Sequence, residues 1–99
     1  MNTDFLKKTF NLSPQQLSSV KKINRKYKKR FDDNRVRLSF YTMQIKQLEA
    51  SDTPDLARIR LLLDERSPIK NTIYIDRIKH RLAIQQLLTP QQRLLLETP

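Results

Sequence analysis

The chain has 99 residues, and its 20 lysines and arginines against 10 aspartates and glutamates give it a net charge of +10. It contains no glycine, no cysteine and five prolines. These counts exclude disulfide frameworks, cysteine zinc sites and glycine-rich phosphate loops. We therefore expect one all-α domain over residues 1–99.

The first long helix is predicted over residues 14 to 50, after a short helix near residues 3 to 10. Ser13 before Pro14 is a helix start signal, because serine caps a helix and proline suits its first position. Ten residues then recur at alternating spacings of three and four, which is a heptad seam. A helix of about 37 residues is about 55 Å long, so we expect an elongated molecule. The seam consists of Leu17, Val20, Asn24, Tyr27, Phe31, Asn34, Leu38, Tyr41, Ile45 and Leu48.

A second long helix is predicted over residues 54 to 87. Thr53 is expected to cap it, with Pro54 at its first position. Its apolar residues do not hold one heptad register across Ser67 and Pro68. Because proline lacks a backbone donor and crowds the preceding turn, we expect a kink there, or a short break with Ser67 as a new cap.

The short connection between these helices predicts an antiparallel hairpin. A turn near Ser51 pairs residues whose numbers sum to roughly 102, which places His80 near Lys21 and Lys22. Asn24 and Asn34 lie inside the seam, where polar residues fix register and partner number.

This hairpin is expected to bring two copies of one motif beside each other at its open end, Leu12-Ser13-Pro14-Gln15-Gln16 and Leu88-Thr89-Pro90-Gln91-Gln92. In each copy the hydroxyl residue can cap a helix while the last glutamine reaches back to the cap's own N–H, which is a capping box. The second copy starts a short helix at Pro90, and Leu88 should pack against Leu94 or the first copy. The predicted structural residues of the motifs are Leu12, Ser13, Pro14, Gln16, Leu88, Thr89, Pro90 and Gln92.

Paired L-[ST]-x-x-Q motifs bracketing a helical hairpin resemble the Spy/CpxP family, which includes ZraP-like and CnrX-like periplasmic proteins. The resemblance covers essentially the whole chain. It implies a periplasmic homodimer shaped like a curved cradle, with any signal peptide removed or outside this chain. Some members act as ATP-independent chaperones or envelope-stress modulators, and others sense or bind transition metals.

The residues themselves favour the first branch over metal sensing or catalysis. One histidine, no cysteine and two methionines are too few ligands for a closed transition-metal site, so His80 is interpreted as a partly exposed helical residue. No serine–histidine–acid set occurs, and the adjacent acids Asp32-Asp33 and Asp64-Glu65 face different directions on their helices. We predict no enzyme activity, no metal and no cofactor.

Two features of the first long helix are candidates for binding a partner. Val36, Phe40 and Met43 form a second apolar stripe opposite the seam. The stripe is expected either to contact client proteins through adaptable side chains, or to be buried in a dimer interface or under the terminal helices. A basic run can attract unfolded or acidic polypeptide, or an envelope-stress sensor domain, although it also suits a solvated face. The run consists of Lys21, Lys22, Arg25, Lys26, Lys28, Lys29, Arg30, Arg35 and Arg37.

Nucleic-acid binding is the main alternative from another class, because a sequence pI of about 10.3 is typical of helical DNA or RNA binders. However, Tyr27, Phe31 and Tyr41 lie in the seam, which leaves few rings for base stacking. No stretch approaches the about 18 apolar residues that span a bilayer. The sequence thus favours a chaperone-like protein or stress modulator, with metal sensing and nucleic-acid binding as alternatives.

Overall fold

The computed structural model describes residues 2–97, and these residues form four α-helices. The helices are α1 (Thr3–Phe10), α2 (Pro14–Glu49), α3 (Leu56–Leu87) and α4 (Pro90–Glu97). Helices α2 and α3 form a long antiparallel hairpin with a short helix on either side of it in the chain. The predicted all-α fold is confirmed. Among the described helices, none combines the length and apolar content needed to cross a bilayer.

Local capping sets the bounds of α1. The Asn2 side chain accepts a hydrogen bond from the Phe5 N–H at 3.1 Å, which satisfies one of the donors left open at a helix start. At the other end Asn11 has φ 51° and ψ 56°, a left-handed conformation that asparagine tolerates better than most residues. The chain therefore leaves α1 sharply and begins α2 only three residues later.

The heptad seam of α2 is confirmed. All ten of its residues are buried or half-buried, including the polar Asn24 and Asn34. Val20 is completely buried, and Tyr27 and Ile45 are nearly so. The alternating spacing keeps one side of the helix against α3 along its length.

The start of α3 differs from the prediction. Asp55 caps the helix, because its Oδ1 accepts a hydrogen bond from the Arg58 N–H at 3.0 Å. The Thr53 N–H instead donates to Ser51 Oγ at 3.2 Å, so this residue belongs to the connection. Aspartate is the stronger cap here because its negative charge also faces the positive end of the helix dipole.

Helix α3 continues through Ser67 and Pro68, so of the two predicted alternatives, a kink or a break capped by Ser67, the break is wrong. Pro68 lies on the exposed side of the helix, where water can satisfy the carbonyl that loses its donor. Leu62 before it and Ile69 after it are both buried, and packing on either side holds the helical path.

The buried side of α3 also continues across this point, although its apolar residues alone do not hold one register there. From Ile59 to His80 the buried and half-buried positions on this side alternate spacings of three and four, and the step from His80 to Ile84 is four again. Three of these positions are polar. The continuous seam consists of Ile59, Leu62, Arg66, Ile69, Ile73, Asp76, His80, Ile84 and Leu87. A search for apolar residues alone misses this seam, because three of its positions are the charged or polar residues Arg66, Asp76 and His80.

The fold divides into two compact units, which we name the terminal unit and the central unit. The terminal unit comprises the residues up to Lys28 and from Arg77 onward, and the central unit comprises Lys29–Asp76. In the terminal unit the core is formed by Leu6, Phe10, Leu12, Val20, Ile84 and Leu88. In the central unit the buried apolar residues are Ile45, Leu62, Ile69 and Ile73.

Candidate functional site

Both copies of the repeated motif are capping boxes, as predicted. In the first copy the Gln16 N–H donates to Ser13 Oγ at 3.1 Å, and the Ser13 N–H donates to Gln16 Oε1 at 2.9 Å. In the second copy the Gln92 N–H donates to Thr89 Oγ1 at 3.2 Å, and the Thr89 N–H donates to Gln92 Oε1 at 2.8 Å. Two otherwise open donors are thus satisfied at each helix start.

The two motifs lie beside each other, as predicted, and their glutamines join them through a contact that the capping pattern alone does not predict. Gln16 Nε2 donates to Gln92 Oε1 at 2.8 Å and to the Leu87 carbonyl at 2.9 Å. Gln92 Nε2 donates to the Phe10 carbonyl at 2.7 Å. Each amide therefore closes its own cap with its oxygen and ties down the end of another helix with its nitrogen. We call this arrangement the glutamine clasp.

The motif leucines complete the core of the terminal unit. Leu12 and Leu88 are both buried and belong to the same apolar cluster. Leu88 thus packs with the first copy of the motif, which was one of two predicted outcomes. The other, Leu94, is 61% exposed. The motif residues therefore have a complete structural role in joining the helix ends.

His80 was predicted to lie near Lys21 and Lys22. In the structure it lies one helix turn further along α2, beside Asn24 and Tyr27. Its Nε2 lies 2.7 Å from Asn24 Oδ1, and its ring stacks on Tyr27 with the centroids 5.0 Å apart. Burial lowers the pKa of His80 below its usual value of 6.5. The shift in pairing arises because the connection runs from Ala50 to Asp55, so its centre lies beyond Ser51.

The central unit contains two polar contacts between α2 and α3 that the sequence did not predict. Arg30 holds Asp76 with two hydrogen bonds, from Nε to Oδ2 at 2.9 Å and from Nη2 to Oδ1 at 3.1 Å. Arg66 Nη1 donates to Thr42 Oγ1 at 3.4 Å. The Asp76 residue is only 1% exposed, so the ion pair compensates a carboxylate removed from water. Following the three-four spacing through polar positions would have located Asp76 and Arg66.

The predicted basic run is exposed throughout, but several of its side chains already have partners. Arg30 is committed to Asp76, and Lys29 pairs with Asp33 at 3.2 Å. Arg35 lies 3.8 Å from Asp32, and Arg37 donates to Asn34. The part of the run in the central unit is therefore largely balanced by neighbouring acceptors.

The net charge lies almost entirely in the terminal unit. That unit contains eleven lysines and arginines against two acids, whereas the central unit contains nine against eight. The terminal unit thus carries +9 and the central unit +1. Helix α3 supplies part of this charge, through residues that the α2 run did not include. The exposed basic residues of the terminal part of α2 and α3 are Lys21, Lys22, Arg25, Lys26, Lys28, Arg77, Lys79 and Arg81.

The second apolar stripe is in the central unit and is open to solvent. Val36 is 71% exposed, Phe40 54% and Met43 55%, so the predicted alternative of burial under the terminal helices is wrong. Phe40 meets Tyr41 edge to face, with the ring centroids 6.1 Å apart. Beside the stripe a groove of about 620 Å³ runs along α2. It is lined by Leu38, Ser39, Thr42, Met43, Lys46, Gln47 and Ala50.

Among the side chains that the structure describes, no group of three or more histidine, cysteine, aspartate or glutamate residues could hold a metal ion. Comparisons with family models, with curated proteins and with solved structures find no match to this chain.

Proposed function

We propose that this chain is a periplasmic, ATP-independent chaperone-like protein or envelope-stress modulator of the Spy/CpxP type. It binds unfolded or acidic polypeptide without a cofactor, and it acts as a homodimer. The observation that carries this proposal is the exposed stripe of Val36, Phe40 and Met43 next to an open groove on α2.

The stripe has the chemistry of a surface that adapts to varied partners. Phenylalanine supplies a large apolar contact, and methionine fills irregular gaps because its unbranched side chain is flexible. Met43 belongs to both the stripe and the groove. Unfolded polypeptide exposes apolar side chains that can occupy such a surface without one defined sequence.

The charge of the terminal unit supports the proposed binding of acidic polypeptide. Its net +9 attracts acidic segments from a distance and raises the rate at which they arrive. This attraction is screened over about 8 Å at physiological ionic strength, so client binding should weaken as salt is added.

The test is the aggregation of a chemically unfolded model protein, followed by light scattering without nucleotide. We expect stoichiometric suppression that weakens with salt and that is lost in the variant F40S/M43S. The matched control is L56N/L61N, which removes exposed leucines from α3 in the same unit and should retain suppression. Absence of suppression at both low and moderate salt overturns the chaperone-like function and favours the stress modulator.

The charge contribution is tested separately by K21E/K22E in the terminal unit. Its matched control is R58E/R60E, which reverses two exposed arginines in the central unit. We expect the first pair to reduce suppression at low salt more than the second. Equal effects would show that total charge matters and that its location does not.

Nucleic-acid binding is the second candidate, favoured by the concentration of eleven basic residues in one unit. Such a patch releases counterions when it neutralises phosphates, so affinity for a duplex should fall steeply with salt. Retention of the chain on a nonspecific duplex at low salt would support this candidate, and no retention would end it.

A further inference from the structure

Helix α4 presents its leucines to solvent. Leu94 is 61% exposed, Leu95 51% and Leu96 40%, and within Pro90–Leu96 only Gln92 is even half-buried. Three adjacent leucines cover more than half of the circumference of a helix, because successive residues are about 100° apart. The chain therefore places three adjacent leucines on a surface that the rest of the described chain leaves largely exposed.

Polar contacts in its first turn hold α4 in place. Gln92 bonds to the Phe10 carbonyl through the glutamine clasp. Arg93 reaches back to the end of α3, where its Nε donates to the Gln85 carbonyl at 3.1 Å and its Nη2 to the Gln86 carbonyl at 3.5 Å. Polar side chains thus anchor and orient the helix start, while the side chains of the three leucines lie largely in solvent.

The same unit exposes a second large apolar side chain next to basic residues. Helix α1 buries Leu6 and Phe10 but leaves Phe5 61% exposed. Lys7 and Lys8 follow it and are also exposed. Exposed apolar side chains and a net charge of +9 therefore occur together in the terminal unit.

The charge of the terminal unit opposes a second copy as the partner of these leucines and favours an anionic surface. A second copy docking through this unit would bring +9 against +9, and like charges oppose that contact. A membrane with anionic headgroups attracts the same charge, by about fivefold in affinity for each lysine or arginine near its surface. Apolar side chains that enter the headgroup region then add a contribution that salt does not screen.

We propose that the terminal unit docks on anionic membrane surfaces, with the α4 leucines inserted at the headgroup level and the basic residues facing the lipid charges. The contact is peripheral and reversible, because no helix of the described chain is apolar enough to span the bilayer. The basic residues would serve both activities, but the α4 leucines are distinct from the stripe proposed to bind polypeptide, so leucine and stripe variants distinguish the failure of one activity from the failure of the other.

The test is co-sedimentation of the full chain with vesicles of phosphatidylglycerol and phosphatidylethanolamine, compared with phosphatidylcholine vesicles. We expect binding to the anionic vesicles that weakens with salt, and little binding to phosphatidylcholine. The variant L94N/L95N should bind at least about tenfold more weakly, because two leucines no longer enter the interface. The control L56N/L61N, with the same substitutions in the central unit, should bind like the wild type.

A second variant gives a direct readout of insertion. The chain has no tryptophan, so Leu95→Trp introduces a single fluorophore. Its emission should shift to shorter wavelength with anionic vesicles and stay unchanged with phosphatidylcholine. The proposal is overturned by an unchanged emission with anionic vesicles, by equal binding to both lipids, or by undiminished binding of L94N/L95N. It is also overturned if L94N/L95N dissociates a dimer, or loses aggregation suppression, while vesicle binding is retained.

Discussion

Removal of Arg30 should destabilise the protein more than removal of the charge on Asp76. The two residues form one ion pair, but their surroundings differ, since the Arg30 side chain is 47% exposed and that of Asp76 only 2%. In Arg30→Met the carboxylate stays buried and loses two hydrogen bonds, which typically costs about 3–5 kcal/mol. In Asp76→Asn the guanidinium can turn toward water, and the new amide oxygen can still accept one bond. The expected cost is about 1–2 kcal/mol.

The measurement is urea unfolding followed by circular dichroism, with the free energy of unfolding compared among variants at neutral pH. The double variant R30M/D76L removes both charges, and we expect it to be more stable than Arg30→Met alone. Arg35→Met is the matched control, because its partner Asp32 is half exposed and 3.8 Å away, and it should cost less than about 1 kcal/mol. A cost for Asp76→Asn equal to or above that of Arg30→Met would refute the reasoning.

Three further outcomes are expected. In a double-mutant cycle of Gln16→Ala and Gln92→Ala, urea unfolding should show coupling of about 0.5–2 kcal/mol, because each amide bonds to the other; strict additivity would contradict the clasp. Because burial lowers the pKa of His80 below 6.5, its contribution to stability is present above that pH and is lost as the pH falls through the lowered folded-state value. The melting temperature should therefore fall between pH 7 and 5, and less so in His80→Gln, whereas equal pH profiles would exclude this cause. Asn34→Leu, at a buried seam position, should raise the melting temperature and broaden the oligomer distribution seen in sedimentation; a lower melting temperature with an unchanged oligomer would contradict it.

The helix bounds at the two motifs could be predicted because their causes are local. A capping box needs only two residues three positions apart. The pairs Ser13 with Gln16 and Thr89 with Gln92 can therefore be recognised from the sequence. The α2 seam is also a local pattern, since the spacing of its residues fixes which side faces a partner. The link between Gln16 and Gln92 is different, because it depends on where the hairpin brings the two ends together.

The α3 seam and its ion pair could not be recognised from apolar residues alone. From the sequence alone, Asp76 is interpreted as a solvent-exposed acid. It can be buried because Arg30, on another helix, pairs with it. The cost of burying a carboxylate is decided by a partner 46 positions away in the chain. The neighbours of His80 were predicted wrongly for a simpler reason. An error of a few residues in the centre of the connection shifts every residue pairing along the hairpin.

The distribution of charge changes how the proposed binding surface should work. Counted along the sequence, the first 50 residues carry +8 and the rest +2, which suggests one basic and apolar surface on α2. The folded chain instead concentrates +9 in the terminal unit, while the exposed stripe of Val36, Phe40 and Met43 belongs to a central unit of charge +1. Apolar side chains stabilise a complex only once they are in contact, whereas charges attract a partner over about a Debye length.

For an acidic client we therefore expect charge reversal at Lys21 and Lys22 to lower mainly the association rate. Loss of the stripe should raise mainly the dissociation rate. Stopped-flow binding of one labelled client to both variants separates these effects, and a stripe variant that slowed association alone would contradict this division.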